Sequence, residues 1–291
     1  MIPDSFFQAE VRDGFAVTEK RKRIWAAELT LLRLFDNFCR LHDLQYFAAY
    51  GTLLGAVRHR GFVPWDDDVD LAMLRSDYER MKQLAPGYFL PPFTFQTSSV
   101  SEGMQLVTPF AKLRDDRTAA VEFPSAPASY SQGIFIDIFP LDSVEDAVPG
   151  NEMRWRMKLE LYTAMSDPLA FRDMAAADKM LFDADTAEQL AALPDAERMM
   201  ILEDYCLQNF NPSARIDFLR LHLENKASGY PGGYFREAVL LPFEFMQIPV
   251  PVSYEAVLRC IYGNYMQNIK GASRHEGAIM DPDRSYREYL S

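Results

Sequence analysis

Four aspartates, Asp66, Asp67, Asp68 and Asp70, crowd five positions of the stretch PWDDDVDLAM (residues 64–73), and apolar residues follow at once. If 66–72 is extended, period-two alternation sends Asp66, Asp68 and Asp70 to one side and Asp67 to the other. Like charges this close raise one another's proton affinity, so an unliganded cluster partly protonates or demands a cation. Oxygen-only ligands favour Mg²⁺, Mn²⁺ or Ca²⁺, and the run contains no His or Cys to suit Zn²⁺. A solvated acidic turn is the plain alternative. An EF-hand is disfavoured: the sixth loop position would be Leu71 instead of Gly and the twelfth Asp77 instead of Glu.

A second group lies just upstream in YGTLLGAVRHRG. A strand ending at Gly51-Thr52 and running into a helix start offers bare N–H groups and a hydroxyl to an anion. Arg58, His59 and Arg60 follow within a turn and suit phosphate, or else form an ordinary polar helix end. A third piece is Asp137 in GIFIDIFPLD (133–142), an acid in an otherwise apolar strand. Buried alone it would be costly, so it needs a metal shared with Asp68 and Asp70, a salt bridge or a hydrogen-bonded cap. Lys112 and Arg114 alternate on a candidate strand and so face one way, as phosphate contacts or as a solvated strand edge. Tyr46, Tyr50, Phe62 and Trp65 could stack on a base or cage an ammonium, or simply pack in the core.

These residues need a sheet to position them. Residues 19–42 are predicted as a long amphipathic helix, 45–51 as a strand, 52–59 as a short helix, and 69–74 as a second strand. Ser76 with Glu79 reads as a capping box that opens a helix over 76–85. FTFQT (93–97), TPFAKLRD (108–115) and 133–142 supply three more strands. After about residue 143 the spacing becomes helical over 151–165, 186–210 and 213–228. A strand or hairpin is expected over 234–251 and a helix over 253–267. The expected fold class is α+β: a mixed sheet flanked by helices in residues 1–142, and a mainly helical layer with a short hairpin in 143–291 packed on it, or one continuous domain.

Composition narrows the function. With 48% hydrophobic and 13% aromatic residues among 291, a large core is available. A formal charge of −12 opposes binding to a phosphate backbone, so nucleic acid is not an expected partner. Cys39, Cys206 and Cys260 are odd in number and far apart, which suggests neither disulfides nor a thiolate metal site. The first residues, MIPDSFFQAE, lack a basic and apolar leader, and no apolar run is long enough for a transmembrane segment. A cytoplasmic location is expected, with peripheral membrane association allowed.

Gly51-Thr52 at a strand end, Asp68-Val69-Asp70 on a second strand and Asp137 on a third together resemble the nucleotidyltransferase-fold pattern. More narrowly, YGTLLGAVRHRGFVPWDDDVDLAM, KLRDDRT and IDIFPLD resemble the LicD family, which includes the fukutin-type ribitol-phosphate transferases. FEFMQIPVPVSYEAVLRCIYGNYM is similar to the family's closing region, and His275 stands where a His often follows. Two departures are visible: Phe245 replaces a usual Gly, and IKGASRHEG lacks the family's prolines. The resemblance implies a nucleotidyltransferase-like catalytic core in 1–142 and metal-dependent transfer of a phospho-alcohol such as phosphocholine from a CDP-alcohol donor. The acceptor would be a sugar hydroxyl of a glycan or glycolipid, as in lipopolysaccharide or teichoic acid modification. Asp66, Asp68, Asp70 and Asp137 would be catalytic and hold Mg²⁺ or Mn²⁺. Gly51, Thr52, Arg58, His59, Lys112 and Arg114 would bind the substrate. Two rivals stay open: nucleotidyl transfer releasing pyrophosphate, which the same acids serve, and a non-catalytic nucleotide-binding protein.

Overall fold

The computed structural model describes residues 2–97, 109–144, 152–177, 180–225, 229–271, 275 and 277–290. Strands β1 (Glu10–Arg12) and β2 (Phe15–Val17) form a hairpin around Asp13-Gly14, both at positive φ, the pair that a tight hairpin turn favours. Thr18 then caps helix α1 (Glu19–Leu41), its hydroxyl accepting the Arg21 amide at 3.2 Å. Trp25, Leu29, Leu32, Phe35 and Phe38 bury one stripe of that helix in the main core.

The sheet is assembled from both halves of the chain. Strand β3 (Phe47–Ala48) leads into α2 (Tyr50–Arg58); β4 (Asp70–Leu74) runs directly into α3 (Arg75–Leu84). Next come β5 (Phe93–Gln96), β6 (Ala111–Asp115), β7 (Ala119–Val121) and the ten-residue β8 (Ile134–Ser143). Parallel β4 lines one edge of β8, while antiparallel β6 takes the start of the other. Helices α4 (Glu152–Ser166), α5 (Pro168–Ala176), α6 (Ala184–Ala192) and α7 (Asp195–Gln208) follow, then β9 (Arg215–Asp217), α8 (Leu219–Asn225) and β10 (Tyr230–Pro231). The order β10-β9-β8-β4-β3, with β6 and β5 attached to β8, makes a seven-stranded mixed sheet. The hairpin β11 (Ala238–Phe243) and β12 (Met246–Pro251) precedes α9 (Tyr254–Tyr262), and β13 (Ile279–Asp281) pairs with β7. The fold class is α+β, as a strand-rich first half followed by a mainly helical second half predicts. No helix among the described residues is long and apolar enough to cross a membrane.

Several expected elements differ in detail. The strand over 45–51 shortens to β3 because Tyr50 turns the chain at φ 42°, so Gly51 and Thr52 lie in the first turn of α2. Ser76 does not cap: α3 starts at Arg75 without a side-chain cap, and Glu79 accepts Arg75 and Lys82. The helix expected over 186–210 is interrupted at Leu193-Pro194, since the proline cannot donate to the preceding turn. Within 213–228, Arg215–Asp217 joins the sheet because β8 leaves a free edge at Asp142 and Ser143. Of the expected elements, residues 108, 151 and 226–228 lie outside the described residues.

Candidate active site

The acids meet where the start of β4 lies against Asp137 of β8. Register pairs Asp70 with Asp137 directly, and neighbours in a parallel ladder project to the same face about 4.8 Å apart. Residues 66–69 carry no ladder, so alternation does not apply there. Asp67 consequently does not face away: carboxylate oxygens of Asp66, Asp67 and Asp68 all lie within 4.8 Å of one another. The loop is held from behind, where Arg21 Nη1 and Trp25 Nε1 donate to the Asp66 carbonyl at 2.7 and 3.1 Å. Glu244 clasps its other end, accepting the Phe62 amide at 3.2 Å and Arg12 at 2.7 Å. Phe245, beside it in the β11–β12 turn, packs edge-on against Phe6.

Gly51 and Thr52 serve the acids before any substrate. The Thr52 hydroxyl accepts the Asp70 amide at 2.8 Å, fixing the start of β4 against α2. A Cβ on Gly51 would overlap the Asp66 carboxylate, which rests against this glycine. Gly51→Ala is therefore expected to keep the fold, because alanine favours a helix and a carboxylate can swing aside. It should lower turnover at the cluster about 10- to 100-fold through the misplaced Asp66. A melting curve and a rate measured on one preparation check both halves.

Burial and crowding decide the charges. Burial, then the neighbouring aspartates, push Asp66 and Asp70 well above the ordinary carboxylate range. Burial also raises Asp137, with Lys112 opposing it. Asp68 is held low despite its burial, because His275 bonds and charges against it. His275 Nε2 stands 3.4 Å from Asp68 and Nδ1 3.1 Å from Glu122, and the two acids lift the imidazole to about 10 despite burial. Crowding of this kind disfavours ionisation of all the carboxylates together, a cost that a bound cation would relieve.

The basic residues are more engaged than their sequence suggests. Lys112 donates to Asp137 at 2.6 Å, so the buried acid has an ion-pair partner, and both Lys112 and Arg114 face the ring of Phe135. Neither sits on a solvated edge; Arg114 bonds Gln96 and the Gly133 carbonyl, at 2.6 and 2.9 Å. His59 has both ring nitrogens in use, one 2.8 Å from Asp13 and the other accepting from Arg58 at 2.9 Å. Arg58 also donates to the carbonyls of Tyr265 and Gln267, and its buried Nη2 has no hydrogen-bond partner among the described residues. Among the aromatics, Tyr46 and Phe62 belong to the core, whereas Tyr50 and Trp65 are partly exposed.

Three residues extend the site beyond the sequence candidates. Tyr262, at the end of α9, feels the charges of Asp70, Asp66 and Asp68. Glu122 enters through His275, which the β13–β7 pairing carries to the acids; nothing local in AAVEF announces it. Glu28 does have a signal, since it occupies the apolar stripe of α1 with Trp25, Leu32 and Phe35.

The donor set suits a hard divalent cation. Only carboxylate oxygens make up the close group, and they lie within 4.8 Å of one another, a spacing that admits the about 4.2 Å between opposite ligands on Mg²⁺. Glu28, whose buried Oε2 has no hydrogen-bond partner among the described residues, feels the charges of all three aspartates.

Residues 43–178 match the family model described as LicD/FKTN/FKRP, nucleotidyltransferase domain. A lipopolysaccharide cholinephosphotransferase, LicD of Haemophilus influenzae, is 26% identical over 249 residues, covering 82% of this chain and 88% of that protein. Shorter similarities reach an uncharacterized protein of Rickettsia typhi, 36% identical over 73 residues, 23% of this chain and 24% of that protein. Another from Rickettsia prowazekii is 40% identical over 47 residues, 16% of this chain and 18% of that protein.

Proposed function

This chain carries a LicD-family domain, and on that premise we propose that it transfers a phospho-alcohol, phosphocholine or a similar group, from a CDP-activated donor to a sugar hydroxyl. The acceptor is a cell-surface glycan or glycolipid of the lipopolysaccharide or teichoic acid kind. The similarity to the Haemophilus cholinephosphotransferase along most of both chains supports this substrate class. The observation that carries the chemistry is the direct pairing of Asp70 with Asp137 beside the close group of Asp66, Asp67 and Asp68.

In the reaction, the acceptor oxygen forms a bond to the phosphorus of the alcohol phosphate as the bridging oxygen to CMP leaves. Such transfer asks for positioning and charge neutralisation more than for covalent help. Asp66, Asp68, Asp70 and Asp137 would hold Mg²⁺ or Mn²⁺, which when bound neutralises the diphosphate and the departing CMP. Either Asp66 or Asp137 takes the proton of the acceptor hydroxyl; Lys112 keeps Asp137 in place. The α2 turn at Gly51 and Thr52 and the spare Nη2 of Arg58 bind the donor phosphates. Tyr50 and Trp65, the partly exposed chain neighbours of Gly51 and Asp66, would suit the base or the ammonium group. A nucleotidyltransferase-like core and a cytoplasmic location complete the proposal; three free thiols, one of them exposed, suit a reducing compartment.

The test is to supply Mg²⁺, a glycolipid extract and CDP-choline, CDP-ethanolamine, CDP-glycerol or CDP-ribitol, and to measure nucleotide release. One donor is expected to yield CMP, with the rate abolished by EDTA and restored by Mg²⁺ or Mn²⁺. Pyrophosphate from CTP in place of CMP would assign the protein to nucleotidyl transfer instead.

A further inference from the structure

Helix α1 meets the acidic loop along one stripe. Arg21 and Trp25 donate to the Asp66 carbonyl, and Glu28 comes next at the i, i+4, i+7 spacing that keeps residues on one helix face. Glu28 is only 1% exposed, and its Oε2 has no hydrogen-bond partner among the described residues. After burial itself, the charges that weigh most on it are those of Asp68, Asp67 and Asp66, with Arg21 the opposing one.

A buried carboxyl oxygen without a partner is unfavourable, and the charges of three aspartates that reach it make it more so. Packing does not ask for an acid here, because Gln, Met or Leu would fill the same stripe beside Trp25 and Leu32. A divalent cation at the acid loop would supply the missing partner, directly or through a water on the ion.

We infer that Glu28 is a further carboxyl of the cation centre, contributed by α1 from behind the loop that carries Asp66, Asp67 and Asp68. This role rests on the proposed function insofar as the aspartates hold a cation at all. The helix would thereby couple the core to the bound ion.

Mn²⁺ binding to the full chain tests it, by calorimetric titration and by the rise in melting temperature on adding Mn²⁺. Glu28→Gln, which keeps the shape and removes the charge, is expected to weaken Mn²⁺ at least about tenfold. Its metal-free form should melt no lower than the wild type, an outcome that loss of a merely structural acid would not couple to weaker Mn²⁺. Asp68→Asn serves as control. If Asp68→Asn loses Mn²⁺ and Glu28→Gln binds it as the wild type does, the inference on Glu28 fails and the aspartate site stands. If the wild type itself does not bind Mn²⁺, the site and the inference fall together. Should Glu28→Gln not fold, Glu28→Asp takes its place: weaker Mn²⁺ supports the role, and unchanged affinity overturns it.

Discussion

Asp70→Asn is expected to cut CMP release on the order of a thousandfold while leaving the protein at least as stable as before. The backbone of residue 70 is held independently of its side chain, its amide by Thr52 at 2.8 Å and its carbonyl by the Ala49 amide at 2.9 Å. Removing the carboxylate therefore does not release the strand. What goes is a charge that burial and then Asp68, Asp137 and Asp66 all disfavour, so the metal-free fold gains from its loss. Function loses because Asp70 is the acid that the β4–β8 register sets beside Asp137. Steady-state rates and melting curves on the same variant separate the two effects. Turnover within a few-fold of the wild type would remove Asp70 from the reaction and, with it, the proposed cation centre.

The opposite pattern, lost stability with no chemical role, is expected at Arg75→Met. Arg75 follows β4 immediately and grips Asp142 of β8 with two parallel hydrogen bonds, each 2.7 Å, with both residues buried. Glu79 and Glu203 gather around the same guanidinium, and Lys82 closes the network. Removing one member of a buried pair leaves the other uncompensated, which costs about 3–5 kcal/mol and lowers the melting temperature on the order of 10 °C. Replacing both partners with apolar residues, Arg75→Met with Asp142→Leu, should recover much of that loss. Denaturant titration of the two single variants and the double variant completes the cycle; a single-variant cost under about 1 kcal/mol would refute the account. This clamp also matters to the site, because it lies one step beyond the Leu74–Leu141 pair of the ladder that aligns Asp70 with Asp137.

Much of this arrangement was legible in the sequence where one local rule dominates. The amphipathic spacing of 19–42, the acid in the apolar run 133–142 and the common facing of Lys112 and Arg114 each follow from a single periodicity, and each is found. Reading failed where the deciding partner is distant. Nothing in the sequence around Asp142 shows that α3 delivers Arg75 to it. The strand at 215–217 exists because β8 is long enough to need a partner at Asp142 and Ser143, a fact about β8 that 213–228 does not contain. Extended alternation would turn Asp67 away from its neighbours, but residues 66–69 join no ladder and its carboxylate lies with those of Asp66 and Asp68. Glu28 stood in plain view on an apolar stripe, yet only the fold reveals which loop it lies beneath.

The clasp formed by Glu244 has a further consequence for anyone who would transplant this chemistry. The acids lie inside the matched segment 43–178, but the groups that hold their loop do not: Arg21 and Trp25 come before it, and Glu244 and His275 long after. A graft of the signature stretch onto a foreign scaffold would thus carry the reactive letters without their grammar. Chimeras between relatives should be cut so that these four outlying anchors travel together with the aspartates.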